Sequence, residues 1–338
     1  MQIDKKLFGT LACGTNVFEF QLTAGEIKLC ILELGAAWRA LFVKDKNNHV
    51  DDLLLGFDSV QEYAKPGGPF FGGTIGRYAN RIAGSSFIID DVRYSITCNE
   101  DRNCLHGGIL GFDKRLWKGS GYKKDDGVFV RFEYTSSDNE EGFPGIANAV
   151  VTYGVNKKNQ ITACYHVRVN KKCPVNITNH AYYNLNAHNN GSILDHKLKL
   201  NSSYYLPVND RQIPSGEIKS AAGTCFDFLQ TRPIQNEYDH CFVVEGVAGT
   251  LRDCAVIYAP QNGRFLKVAT TAPGVQFYTG NSLDKVCGKG GAVYERNAGF
   301  CIETQNFPDA PNQAHFPSAI YSPDKDYHEE TVFEFSVV

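Results

Sequence analysis

The sequence predicts an all-β protein, built as one large, mainly antiparallel β-sandwich. Three observations carry the prediction. Apolar and polar residues alternate with a period of two along much of the chain, the pattern of half-buried strands. Convincing helical periodicity is scarce. Clusters of Gly, Pro, Asn and Asp separate the runs, as in Lys65-Pro66-Gly67-Gly68-Pro69 and Asn189-Asn190-Gly191. Strands with no helices between them pair antiparallel, because a parallel crossover needs a long connection. Many strands in one chain must then stack or close to hide their edges.

The elements follow in order. Strands are expected at 18–22, 26–34, 92–97, 128–134, 147–154, 160–170, 255–259, 265–271 and 331–337, with a short helix at 59–65. The stretch at 160–170 is the cleanest. Ile161, Ala163, Tyr165, Val167 and Val169 share one face, and Thr162, His166 and Arg168 share the other. No internal repeat, low-complexity tract or linker-like stretch interrupts the chain, so residues 1–338 are expected to form a single domain.

Composition narrows the function. Lys and Arg total 34 against 37 Asp and Glu, a net charge of −3. Nucleic-acid binders carry a basic excess, so a nucleic-acid partner is not expected. Hydrophobic residues at 43% and charged residues at 21% fit a globular chain. A chain of this length buries roughly 75% of its unfolded surface and needs no disulfide or metal to stay folded. The 11 cysteines are odd in number and scattered, with no Cys-x-x-Cys pair. Residues 1–6 lack the apolar core of a leader, and no apolar run approaches the ~20 residues of a membrane span. Free thiols, a cytoplasmic location and no membrane partner are the expectations. Sequons at Asn176, Asn190 and Asn201 are expected to be chance matches.

Four segments carry unusual polar content. In Gly76-Arg77-Tyr78-Ala79-Asn80-Arg81-Ile82, two arginines offer donor forks suited to hydroxyls or carboxylates. Alone, a salt-bridged turn is the simpler reading. His106 sits beside Gly107 and Gly108, where the backbone permits close approach of a ligand. Alone, it reads equally well as a surface loop. In the 176–185 segment, an extended backbone would point Asn176, Thr178, His180 and Tyr182 the same way. Four polar groups on one face cost too much if buried without partners, so that face is expected to be wet or ligand-bound. Glu303 lies inside a strand-like apolar run, where a carboxylate is either ion-paired or functional. Asp239-His240 and the 275–281 stretch around Gln276 are weaker signals of the same type.

Together these groups suggest acid–base chemistry on a neutral polyol. No His-x-His or helical His-x-x-x-His pair points to a metal. No Gly-x-Ser-x-Gly elbow points to a serine nucleophile, and no phosphate-cradling loop precedes a helix. Proton transfer without cofactor or metal remains.

The segments resemble the signatures of the aldose 1-epimerases, the galactose mutarotase family. The likeness covers 76–82, 105–113 with Trp117 after it, 176–185 and 303–312, in the family's order, and so spans nearly the whole chain. It implies a large antiparallel β-sandwich and interconversion of the α and β anomers of free aldohexoses such as galactose and glucose. By resemblance, Glu303 is the general base at the C1 hydroxyl and His180 the general acid at the ring oxygen. Asn80, Arg81, His106, Asp239 and Gln276 match positions that hold sugar hydroxyls, and Tyr182 lines the same pocket. The pair is expected to start as carboxylate and imidazolium, with pKa values straddling the working pH. Tyr183 stands where the family has Phe or Trp, a change that keeps a ring. The only partner implied is a monosaccharide, and the sequence does not give the oligomeric state. Two alternatives stay open: a hexose-6-phosphate 1-epimerase, which would want several converging Arg or Lys residues, and a non-catalytic sugar-binding β-sandwich.

Overall fold

The computed structural model describes residues 1–338. The chain opens on a five-stranded sheet, Gln2–Thr10, Asn16–Ala24, Ile27–Leu32, Trp38–Lys44 and Val50–Asp52, in sequential order. Opposite it lies a nine-stranded sheet. Its order is Lys118–Lys123, Gly127–Ser136, Ala147–Asn156, Gln160–Val169, Tyr327–Val337, Arg264–Thr270, Arg252–Tyr258, Lys197–Leu200 and Arg232–Pro233. The C-terminal strand is thus inserted into the middle of the sheet, with Tyr165 opposite Glu329 and Val268 opposite Phe333. Every ladder between these strands is antiparallel.

Alternation explains the packing. In Gln160–Val169, Ile161, Ala163, Tyr165, Val167 and Val169 are all buried, while Arg168 is exposed. The two sheets meet through edge-to-face rings, which aromatic quadrupoles favour. Phe20 meets Phe132 at 5.7 Å, and Trp38 meets Tyr153 at 5.1 Å and Phe333 at 5.3 Å between centroids. One apolar core of 70 residues runs from Phe20 to Phe335. Each such Val, Leu or Phe contributes about 1.5–3 kcal/mol on leaving water.

A third sheet carries the site. Its order is Lys219–Ser220, Tyr204–Tyr205, Asp239–Val243, Gly274–Tyr278 and Cys301–Gln305. Phe277 and Phe300 join it to the main core at 6.4 Å. All five residues of Gly274–Tyr278, and all five of Cys301–Gln305, are buried. The helix expected at 59–65 is present as one turn, Val60–Ala64. The Ser59 hydroxyl caps it, accepting from the Glu62 N–H at 3.4 Å and donating to the Glu62 carboxylate. All eleven cysteines are free thiols. Asn176 is fully buried, so its sequon is closed in the folded chain.

Candidate active site

Register builds the floor of the site. The ladders set Asp239 opposite Tyr278, Cys241 opposite Gln276, and Gln276 opposite Glu303. His180 enters from another direction. It follows the two-residue strand Thr178–Asn179, which pairs with Thr74–Ile75. Its backbone N–H donates to Gly73 O and its carbonyl accepts from Gly72 N–H, both at 2.9 Å. The Asn179 amide donates to Gly72 O at 2.8 Å and stiffens the same corner. His106 follows Cys104–Leu105, which pairs with Arg81–Ile82. The His106 and Asn80 backbones then lock together: His106 N–H donates to Asn80 O, and Asn80 N–H donates to His106 Nδ1, each at 3.1 Å. Gly107 must be glycine, because a Cβ there would stand 2.1 Å from Gly76 O.

Backbone strain concentrates here. Phe70, Asn80, His106 and Gln212 all hold positive φ between 54° and 64°. Non-glycine residues pay roughly 1–3 kcal/mol for such conformations and keep them where the surroundings force them, commonly at ligand sites.

Seven of the residues singled out from the sequence line one cavity of ≈ 410 Å³: Asn80, Arg81, His106, His180, Tyr182, Asp239 and Glu303. The eighth, Gln276, lies one layer beneath. It is buried, and its amide N–H donates to Asp239 Oδ1 at 2.6 Å, so it touches the cavity through Asp239. His180 Nε2 stands 3.7 Å from Glu303 Oε1. That is too long for a direct hydrogen bond and leaves room for substrate atoms between them. Tyr182 stacks on His180 at 5.1 Å between centroids, and His106 meets it edge-on at 5.1 Å. Arg81 is held by both oxygens of Glu100, at 2.7 and 2.8 Å, with Asp239 Oδ2 at 3.8 Å from its other arm. A second cavity of ≈ 490 Å³ lies on the far side of Phe70. Phe57, Tyr63, Phe71 and Val286 line it, and no imidazole does. Of the two, only the smaller cavity pairs an imidazole with a carboxylate.

Burial dominates the electrostatics. It pushes the His180 imidazolium pKa down to about 4. It pushes Glu303 well above the usual carboxylate range; the Asp239 charge adds to this and Arg81 opposes it. His106 is driven well below its ordinary value by burial, with the His180 and Arg81 charges adding. Burial thus favours the neutral form of each, the protonated Glu303 carboxyl and the uncharged His180 imidazole. Both directions run against the expectation of a resting carboxylate and imidazolium, because burial penalises separated charges. Glu303 Oε2 has no hydrogen-bond partner in the protein, consistent with an atom kept for a ligand.

Two other expectations change. The 176–182 residues do not form one wet polar face. Asn176 is a structural bridge: its amide donates to Ala79 O at 2.9 Å and accepts from Asn306 N–H at 2.7 Å. Thr178 is buried, and only His180 and Tyr182 of the four reach the cavity. Arg77 is likewise interior. Its guanidinium donates to Pro144 O, Gly145 O, Ser136 Oγ and Ser137 O, at 2.6–3.0 Å. Trp117 is buried too, donating to Phe112 O at 3.0 Å.

Sequence reasoning missed Glu100, Gln212 and Tyr278 as cavity residues, and gave Phe70 and Asn281 no role. Glu100 and Gln212 sit on loops with no periodic signal. The Arg211–Asp101 ion pair at 3.3 Å brings those loops together. An unpaired buried oxygen marks Gln212 and Asn281, which is visible only in the fold.

His106, His180 and Glu303 present ligand-type atoms within 4.8 Å of one another, a grouping that could hold a metal ion. The donor chemistry fits a metal poorly. Asn80 N–H occupies the His106 Nδ1 lone pair, so neutral His106 carries its hydrogen on Nε2, where a metal would need a free lone pair. That N–H is instead a donor suited to a hydroxyl oxygen.

Comparison with known proteins gives the family. The aldose 1-epimerase family model matches residues 19–334. A galactose mutarotase of Bos taurus is 39% identical over 349 aligned positions, covering 100% of this chain and 99% of that protein. The Homo sapiens galactose mutarotase is 39% identical over 347, covering 99% of each. The solved structure of an aldose epimerase homologue from C. elegans superposes with a TM-score of 0.88 at 30% identity, over 94% of this chain and 98% of that one.

Proposed function

The chain belongs to the aldose 1-epimerase family, and from that premise we propose that Glu303 and His180 carry its two proton transfers. The protein is an isomerase that interconverts the α and β anomers of aldoses. The observation that supports the residue roles is the 3.7 Å gap between His180 Nε2 and Glu303 Oε1 inside a polar-lined cavity. In a pyranose, the C1 hydroxyl oxygen and the ring oxygen are both bonded to C1. Two groups this close can reach both atoms at once.

Ring opening takes the C1 hydroxyl proton onto Glu303 and delivers the His180 Nε2 proton to the ring oxygen. The bond from C1 to the ring oxygen breaks and the aldehyde forms. Rotation about C1–C2 presents the other carbonyl face. In closure Glu303 returns its proton to the carbonyl oxygen and His180 takes the proton of the attacking hydroxyl. The pair holds one proton throughout, and each half-reaction moves it across. The tautomer that burial favours, protonated Glu303 with neutral His180, is the one that catalyses closure. Opening uses the tautomer of higher energy, which Arg81 helps by favouring the Glu303 carboxylate. The Nε2–H of His106, the Arg81 fork, Asn80 and Asp239 hold the remaining hydroxyls, and Gln276 orients Asp239.

The substrate we propose is a neutral aldohexose such as galactose or glucose. A phosphorylated hexose is disfavoured because Arg77 is spent on backbone carbonyls and Arg81 on Glu100. Asp239 and Glu100 in the wall would also repel a dianion. Polarimetry of α-D-galactose, α-D-glucose and α-D-glucose 6-phosphate tests this. Acceleration of the neutral sugars and little of the phosphate is expected. Sugar binding with no acceleration would leave only the non-catalytic reading. We further propose that residues 1–338 act as one unit, on the strength of the continuous core. A cytoplasmic location is supported by free thiols at exposed positions such as Cys13 and Cys98. No helix is long and apolar enough to cross a membrane.

Activity against pH should follow a broad bell, because the working pair holds one proton. The acid limb arises when neutral His180 gains a second proton for the pair, near pH 4. The alkaline limb arises when Glu303 loses its proton, above the ordinary carboxylate range. Both limbs belong to the coupled pair. An alkaline limb within the ordinary carboxylate range would contradict the placement of the proton on Glu303.

A further inference from the structure

Side chains alternate along Cys301–Gln305, so Cys301, Glu303 and Gln305 share one face. The His180 imidazole lies against two of them. Its Nε2 faces Glu303 Oε1 at 3.7 Å, and its Nδ1 faces Cys301 Sγ at 3.5 Å. One strand therefore addresses both nitrogens of the ring, through residues two apart. We propose that Cys301 is a positioning residue for His180: its sulfur accepts the Nδ1–H in both protonation states, so that Nε2 alone gains and loses the proton that faces the sugar. The inference rests on the reading of His180 as a proton carrier.

The physical case has three parts. Which imidazole nitrogen titrates is set by the hydrogen bond that the other makes. The Cys301 thiol is buried, and burial, with the Glu303 and Asp239 charges adding, holds it well above its ordinary pKa, so it stays a neutral thiol. A thiol sulfur is a weak acceptor. A carboxylate in its place would stabilise the imidazolium and make it a reluctant acid. A thiol orients the ring and leaves the acidity of Nε2–H nearly intact. Apart from the backbone carbonyl of His180 itself, the remaining groups facing the ring are other rings. Tyr182 stacks on it at 5.1 Å, and Phe70 lies at 5.9 Å. His106 and Tyr278 meet it edge-on at 5.1 and 6.4 Å. The His180 backbone carbonyl raises its pKa slightly against the burial that lowers it. Arg81 and Asp239 act on Glu303 from across the cavity.

The direct test is nitrogen-15 NMR of the imidazoles across the neutral range. The His180 resonances are identified among the 9 histidines by their loss in His180→Asn. Neutral His180 in the unchanged protein should carry its hydrogen on Nδ1. Cys301→Ser should keep that tautomer and move the acid limb of the pH–rate bell upward, since a hydroxyl is the stronger acceptor for an imidazolium. Cys301→Ala should release the tautomer and lower kcat about tenfold, a small part of the roughly 10²–10⁴-fold that one placed proton carrier supplies, with KM changed by less than about twofold. Hydrogen on Nε2 of neutral His180 would overturn the proposal. So would a Cys301→Ala protein with unchanged tautomer, kcat and bell. If Cys301→Ala does not fold, the unsubstituted protein and the serine variant decide. Full turnover in His180→Asn would instead remove the role of His180 itself, a separate result.

Discussion

Glu303→Gln is expected to remove nearly all turnover and, at neutral pH, to raise the melting temperature. The two effects have one cause. Glutamine keeps the shape of the side chain but cannot exchange a proton, so the loss should be at least the roughly 10²–10⁴-fold of one positioned acid–base group, in kcat more than in KM. Stability moves the other way because the Glu303 pKa is raised in the fold by burial and by Asp239. Below the ordinary carboxylate pKa the group is neutral in both the folded and the unfolded chain, and nothing is lost. As pH rises through that value the unfolded chain ionises while the fold resists, so the fold loses stability until pH exceeds the raised folded value. Glutamine is exempt from this loss. The gain in melting temperature should therefore be absent at acid pH, grow through the carboxylate range and then level off. Polarimetry and thermal denaturation over a pH series measure both. Near-native turnover would move the base elsewhere. A melting temperature that falls at neutral pH would mean that Glu303 is a charged and paired carboxylate in the fold.

This conflict between folding and function bears on what a sequence can reveal. Gln160–Val169 was legible because one face is buried and the other is not, which writes an alternation into the residues. Gly274–Tyr278 and Cys301–Gln305 are buried on both faces, so no alternation marks them as strands. What marks them is the anomaly of Glu303 and Gln276 among apolar neighbours. Gln2–Thr10 escaped notice for the opposite reason: most of it is exposed, so neither face is written in apolar residues. The acid and base were legible as residue types out of place. Their protonation was not, because it depends on burial in a cavity whose walls come from segments more than a hundred residues apart, from Phe70 to Glu303. The loop groups Glu100 and Gln212 enter that cavity only by tertiary closure.

Arg77→Ala is expected to cost about 3–5 kcal/mol of stability, the scale of truncating a large buried side chain and unpairing the groups it bonds. By sequence Arg77 and Arg81 looked alike, two donor forks four residues apart. The fold separates them. Arg77 is 2% exposed and gives its donors to Pro144, Gly145, Ser136 and Ser137, with Phe143 at 5.7 Å beneath the guanidinium. It fastens the 136–145 connection, between Gly127–Ser136 and Ala147–Asn156, to the segment that ends in Asn80 and Arg81. Truncation would take the guanidinium donor from Pro144 O and Gly145 O, while Ser137 O keeps the Glu140 N–H, and would open a cavity among them, and each effect is destabilising by itself. For a chain this long, that loss corresponds to a fall in melting temperature of about 4–7 °C. Arg81→Ala removes a partly exposed fork from the cavity wall and should weaken sugar binding with a smaller thermal cost. Paired measurements of melting temperature and KM on the two variants separate the roles. If Arg77→Ala melts like the unsubstituted protein but loses sugar affinity, the first arginine serves the ligand, and its assignment to the framework is wrong.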